Sequence, residues 1–123
     1  MSRILVIDDN SINLDLMLYL LRAFGHETRG ESDGLAGLEA LRSDAFDVVL
    51  ADILMPGIDG YEFARRVRNE LRSSVPIVAV TALAMPGDRE RIADSGFDGY
   101  LAKPIEPRTF ASQVEAFARR EPA

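Results

Sequence analysis

The chain of 123 residues has no cysteine, no tryptophan and one histidine, His26. Without thiols there is no disulfide framework and no thiol chemistry, and a lone imidazole argues against a zinc site. Positive charge is scarce: 14 Lys and Arg against 20 Asp and Glu leave a formal net charge of -6. A nucleic-acid binder needs the opposite excess to neutralise phosphates. No apolar run is long enough to span a bilayer, and no secretory leader precedes the first apolar run. The expectation is a soluble cytoplasmic protein. What is plentiful is apolar surface, at 47% of residues, enough for a core in a chain of single-domain length.

There is no internal repeat, low-complexity tract or linker. Short apolar runs alternate with helical patterns from end to end. Arg3 to Ile7 predicts a strand, and Ser11 a helix N-cap for a helix reaching about Phe24, with Gly25 as its stop. Glu27 to Glu31 is a polar strand, suited to a sheet edge. Asp33 caps a second helix that turns Leu38 and Leu41 inward and ends near Ser43. Asp47 to Ala51 is a buried strand. Phe63, Ala64, Val67 and Leu71 fall at helical spacing, giving a helix from about Gly60 to Arg72. Pro76 to Thr81 is another buried strand. Pro86 suits the first turn of a fourth helix and Gly96 its end. Asp98 to Ala102 makes a fifth strand, and Pro107 opens a last helix with Phe110, Val114 and Phe117 inward. Five strands alternating with five helices predict an α/β fold over residues 1–123, one domain built on a doubly wound parallel sheet.

In such a sheet the carboxyl ends of the strands carry the site. The residues just after each apolar run are Asp8 and Asp9, then Asp52, then Thr81, then Lys103 followed by Pro104. Adjacent carboxylates at the end of a buried strand repel each other, so either a bound cation or basic side chains must compensate them. Asp8, Asp9 and Asp52 together suit a hard divalent ion, Mg2+ above others, with Lys103 set against Asp52. Single acids at strand ends are often helix caps. Three acids with a hydroxyl and an ammonium at four strand ends are not explained that way.

The stretches VIDDN (6–10), VVLADILMPGIDGYEF (48–63), PIVAVTALA (76–84) and GYLAKPI (99–105) resemble the receiver domain of bacterial response regulators, the chemotaxis and phosphorelay family. The resemblance covers essentially the whole chain. In motif detail it is nearer to single-domain cell-cycle regulators and hybrid-kinase receivers than to the chemotaxis member. It implies a flavodoxin-like strand order 2-1-3-4-5. It implies that Asp52 is the phosphoacceptor, that Asp8, Asp9, Asp52 and the main-chain carbonyl of Leu54 hold Mg2+, and that Thr81 and Lys103 contact the phosphoryl group. Thr81 and Tyr100 become switch residues, and Lys103-Pro104 the peptide bond that is usually cis. The donor is a histidine kinase or a histidine phosphotransfer protein, docking on Asn10, Asn13, Leu16, Pro104 and Ile105. No other substrate is turned over: the chain catalyses its own phosphorylation and dephosphorylation only. Output passes to an unassigned protein target, with no nucleic acid or membrane involved.

The first helix carries more apolar residues than one face needs. Leu14, Met17, Leu18 and Leu21 make the inward stripe, which leaves Leu16 and Leu20 outward. His26 reads as a surface residue, Arg65, Arg66 and Arg68 as a solvated face, and Asp59 and Gly60 as a turn and helix cap. Leu54 and Leu83, two residues after Asp52 and Thr81, flank the path of an attacking water in this family, and neither can orient one. The opening Met1 before the first strand favours a natural start, while Glu121-Pro122-Ala123 could be a cut. The leading reading is therefore a stand-alone receiver. The alternative is a receiver excised from a hybrid kinase or larger regulator. A Mg2+-dependent aspartyl-phosphate phosphohydrolase fits less well, because such enzymes place Asp-x-Asp on the first strand. A flavin binder would suffer repulsion between Asp8-Asp9 and the flavin phosphate.

Overall fold

The computed structural model describes residues 2–82 and 86–118. Met1, Leu83 and Glu121-Pro122-Ala123, singled out above, lie outside the described residues. Strands and helices alternate as β1 (Arg3–Ile7), α1 (Ser11–Ala23), β2 (Glu27–Glu31), α2 (Gly34–Ser43), β3 (Val48–Ala51), α3 (Gly60–Asn69), β4 (Ile77–Thr81), α4 (Asp88–Asp94), β5 (Gly99–Ala102) and α5 (Phe110–Ala118). The strands form one parallel sheet in the order β2-β1-β3-β4-β5. The polar strand β2 stands at its edge, as its composition requires.

Side-chain alternation splits the core in two. Ile4, Val6, Val48, Leu50, Val78 and Val80 pack against Met17 and Leu21 of α1 and Phe110 and Val114 of α5. Leu5, Ile7, Val49, Ala51, Ile77 and Ala79 pack on the other face against α2, α3 and α4, through Leu38, Phe63, Val67 and Ile92. Covering both faces explains why these central strands are unbroken apolar runs.

Local chemistry shifts several element ends. Asn10, not Ser11, caps α1: its Oδ1 accepts the N–H of Ile12 and of Asn13, each at 3.0 Å. Ser11 is already the first helical residue. Asp33 and Asp59 cap α2 and α3 as expected. Helix α3 stops at Asn69, short of Arg72, whose φ of 51° turns the chain out of the helix. Pro86 stands before α4, not in its first turn, because Gly87 with φ 94° occupies the N-cap. Pro107 lies in the turn before α5, where the N–H groups of Thr109 and Phe110 both reach the Glu106 carbonyl.

Three surface expectations are corrected. His26 is buried, at 7% exposure. The positive φ of Gly25 turns the chain back at this point. The His26 Nδ1 accepts the Ser2 N–H at 3.1 Å, and Nε2 lies 3.3 Å from Glu115 Oε2 on α5. Leu20 packs into the α1–α5 side of the core, while the large solvent-facing apolar residues of α1 are Ile12, Leu16 and Tyr19. Arg68 is not part of a solvated face. Its guanidinium donates to the carbonyls of Gly96 (3.0 Å), Ser73 (2.9 Å) and Val75 (2.7 Å) and to Asp98 Oδ2 (2.9 Å). Asp98 Oδ2 in turn accepts the Ile77 N–H at 2.8 Å. One side chain thus staples the end of α3, the start of β4 and the turn before β5.

Removing that staple leaves three part-buried carbonyls unpaired. Arg68→Ala is expected to lose about 2–3 kcal/mol in urea unfolding. Arg65→Ala, on the exposed side of α3, should change stability by no more than about 0.5 kcal/mol. Equal urea midpoints for the two variants would show that Arg68 is no staple.

Candidate functional site

The ends of β1, β3, β4 and β5 meet at the carboxyl edge of the sheet. Strand pairing sets Ile7 beside Ala51 and Thr81 beside Ala102, so the residues that follow or close these strands are neighbours. Asp8 follows β1 and is fully buried; Asp52 follows β3 and is 8% exposed; Thr81 closes β4 and is 1% exposed. Asp9 points to solvent. Lys103 follows β5, joined to Pro104 by a cis peptide bond. Its Nζ donates to Asp52 Oδ2 at 2.8 Å and to Asp8 Oδ2 at 3.1 Å.

Each acid is also held by the backbone. Asp8 Oδ1 accepts the Asn10 N–H at 2.9 Å, and Asp52 Oδ1 faces the Leu54 N–H at 3.4 Å. Beneath Asp52, Gly60 donates its N–H to the Ile53 carbonyl at 2.8 Å. A Cβ at Gly60 would stand 2.5 Å from the Asp52 carbonyl oxygen. Glycine therefore lets α3 begin directly under the loop that presents Asp52.

Burial raises the pKa of Asp8 above the ordinary aspartate value, and the Asn10 N–H and the Lys103 ammonium only partly oppose it. Burial works against the charged form of Lys103, but hydrogen bonds and charge from Asp52 and Asp8 outweigh it and raise its pKa. Carboxylate oxygens of Asp8, Asp9 and Asp52 all lie within 4.8 Å of one another. This donor set is oxygen only, with no nitrogen or sulfur, and fits a hard cation.

Asp8, Asp9, Asp52 and Lys103 are thus brought together, with Thr81 on the neighbouring strand end. Asn13, Leu16, Pro104 and Ile105 line a cavity of 330 Å³ with Ala82 and Lys103. Asn10 of the same expected contact surface spends its side chain as the α1 cap. Tyr100 is half-buried on β5, with the Arg89 guanidinium 5.4 Å from its ring centroid. Sequence reasoning found Leu16 on the outer side of α1 but missed the rest of its ridge. Ile12, Leu16, Tyr19 and Ala23 recur at spacings of four, three and four, the pattern of a helix-docking seam, and all four are exposed. A second cavity, of 460 Å³, lies on this helix between Asp15, Leu18, Tyr19, Arg22 and Ala23. The signal was present in the spacing, but the inward stripe masked it.

A parallel doubly wound sheet that gathers acids, a threonine and a lysine at its carboxyl edge defines a receiver-type fold. Residues 4–115 match the model of the response regulator receiver domain, and the chain belongs to that family. It is 41% identical to the sensor protein GacS of Pseudomonas syringae pv. syringae over 98% of its own length, and spans 14% of that relative. It is 35% identical to the polar-differentiation response regulator DivK of Brucella anthropi, covering 93% of this chain and 94% of that one. The chemotaxis response regulator CheY4 of Vibrio cholerae superposes with a TM-score of 0.89 at 27% identity, over 95% of this chain and 98% of that one. No helix among the described residues is long and apolar enough to cross a membrane.

Lys103→Met would leave Asp8 and Asp52 without their cation. In metal-free buffer near neutral pH this should cost about 3 kcal/mol of stability. The cost belongs to the ionised form of Asp8, whose pKa is raised, so it is relieved as pH falls through that pKa. The stability gap between wild type and variant should therefore narrow as pH falls toward the ordinary aspartate value of 3.8. The contribution of Lys103 itself persists up to the ordinary lysine value of 10.5 and is lost above its raised pKa. A gap that stays constant with acidification would rule out this account.

Proposed function

We propose that this chain takes a phosphoryl group from the phosphohistidine of a histidine kinase or histidine phosphotransfer protein onto Asp52. It then signals by changing a protein-binding surface. The observation that carries this reading is the contact of Lys103 with both Asp52 and Asp8 beside Thr81 at the strand ends. A carboxylate oxygen of Asp52 attacks phosphorus, the phosphorus–nitrogen bond of the donor breaks, and its electron pair returns to the imidazole. The product is an acyl phosphate. Lys103 holds Asp52 Oδ2 and neutralises charge on the transferred group. Asp8, Asp9 and Asp52, with the Leu54 carbonyl, would hold Mg2+, which stabilises charge on the phosphoryl oxygens when bound. Thr81 contacts the new phosphoryl oxygens, and Tyr100 turns as Thr81 moves.

The donor docks on the outer ridge of α1 and the adjoining cavity lined by Asn13, Leu16, Pro104 and Ile105. An apolar ridge beside an acid pocket suits a helical bundle that delivers a phosphohistidine. The coverage of nearly all of DivK supports the reading as a stand-alone regulator, for which the cytoplasm is the proposed location. The similarity to a short part of the much longer GacS supports the second reading, a receiver unit of a hybrid kinase.

Two experiments follow from this reading. With Mg2+ and radiolabelled acetyl phosphate, the wild type should take up one acid-labile label and stop, and Asp52→Asn should take up none while keeping its urea midpoint. Stoichiometric labelling of Asp52→Asn would place the acceptor elsewhere, and phosphate release far faster than the decay of the isolated label would make the protein a phosphatase.

The second concerns the lifetime of the label. Leu54 is 64% exposed next to Asp52 and offers nothing to orient a water. With Leu83 it should make self-dephosphorylation slow. Leu54→Asn with Leu83→Glu is expected to lose label at least roughly tenfold faster, since placing a water is worth that much in rate. An unchanged decay rate in the double variant would end the idea of an apolar gate.

A further inference from the structure

Helix α4 is held in place by little. It has seven residues, no side-chain cap on its first N–H groups, and one buried residue, Ile92. What does hold it includes two arginine–tyrosine contacts reaching in different directions. Arg89 lies over Tyr100 of β5, at 5.4 Å from the ring centroid. Arg91 lies over Tyr61 of α3 at 4.0 Å, the closer of the two.

Tyr61 is one residue past Gly60, the glycine that seats α3 against the Asp52 carbonyl and the Ile53 backbone. Any shift of the loop from Asp52 to Asp59 therefore reaches Tyr61 through a rigid first helical turn. The Tyr61 ring is 3% exposed and belongs to the core on the α2–α4 face. Its hydroxyl is buried and has no hydrogen-bond partner among the described residues. The ring packs under Arg91 of α4, and Tyr61 lies two residues past Asp59, the cap of α3. A buried hydroxyl without a partner is costly and demands a reason.

We infer that Tyr61 and Arg91 form a second switch contact, which carries the state of the Asp52 loop to α4 separately from Thr81 and Tyr100. The inference rests on Asp52 being the phosphoacceptor. In the present arrangement the Arg91 stack holds α4 in place, and the unpaired Tyr61 hydroxyl opposes that arrangement. When the Asp52 loop moves, the stack opens and the hydroxyl gains a partner. Tyr61 is thus a positioning residue whose ring and hydroxyl act in opposite directions on one equilibrium.

The test uses the full chain with Mg2+ and beryllofluoride as the phosphoryl mimic, titrated by calorimetry and by amide shifts of α4. Tyr61→Phe keeps the ring and removes the hydroxyl, so it relieves the cost of the unphosphorylated form. It should bind beryllofluoride roughly fivefold more weakly, with a urea midpoint no lower than wild type. Arg91→Met removes the stack and frees α4, so it should bind severalfold more tightly. Arg91→Lys keeps the cation and should restore most of the wild-type affinity. Shifts of the same sign in Tyr61→Phe and Arg91→Met, or affinities within about twofold of wild type, would overturn the switch contact. So would a lowered urea midpoint in Tyr61→Phe, because the hydroxyl would then be paired. If the wild type itself takes up no beryllofluoride, the Asp52 reading fails and the switch contact with it.

Discussion

The Lys103 ammonium between Asp8 and Asp52 is the contact on which the carboxyl edge of the sheet depends. Asp8 is sealed from water, Asp52 nearly so, and Asp9 stands next to them. Like charges this close, two of them cut off from water, repel each other and need a counter-charge. Lys103 comes from a strand three places along the sheet from Asp8. Its reach ties β5 to β1 across two intervening strands. On the proposed function, the edge that would respond to a phosphoryl group is therefore held shut by the group that would contact it.

Much of this was legible from the chain alone, for physical reasons. Parallel strands covered on both faces must be apolar throughout, so ILVI, DVVLA and PIVAVT announce themselves. Once the strands are set, the residue after each one lands at the carboxyl edge, and Asp8, Asp52, Thr81 and Lys103 converge by topology. Element ends were harder. Asn10 and Ser11 are both good caps, and only the path out of β1 decides between them. Pro86 and Pro107 mark turns just before helices as readily as first helical turns.

The misread residues share a cause. His26, Arg68 and Leu20 are polar or surplus by local pattern, and each is claimed by an element distant in sequence. Glu115 lies 89 residues from His26, and Asp98 lies 30 from Arg68. Periodicity reports what a helix does with its own neighbours. It does not report that a later helix will pack beside it, as α5 does beside α1 and Leu20. Nor could spacing reveal that Arg89 and Arg91 reach two different aromatic rings.

The Arg68 staple has a consequence for how the molecule can change over time. It locks the loops at the amino ends of β4 and β5, while the opposite end holds its charges through one lysine and is rimmed by the exposed side chains of Ile12, Leu16 and Leu54. The protein thus has a fixed floor and an adjustable roof. On the proposed function, replacements on that rim, at Ile12, Leu16 and Leu54, would retune which partner is met and how long the phosphoryl group stays, without threatening the scaffold. Tolerance to substitution should then be partitioned along the strand axis as well as by depth, and new pathway wiring can arise at one pole while the other stays unchanged.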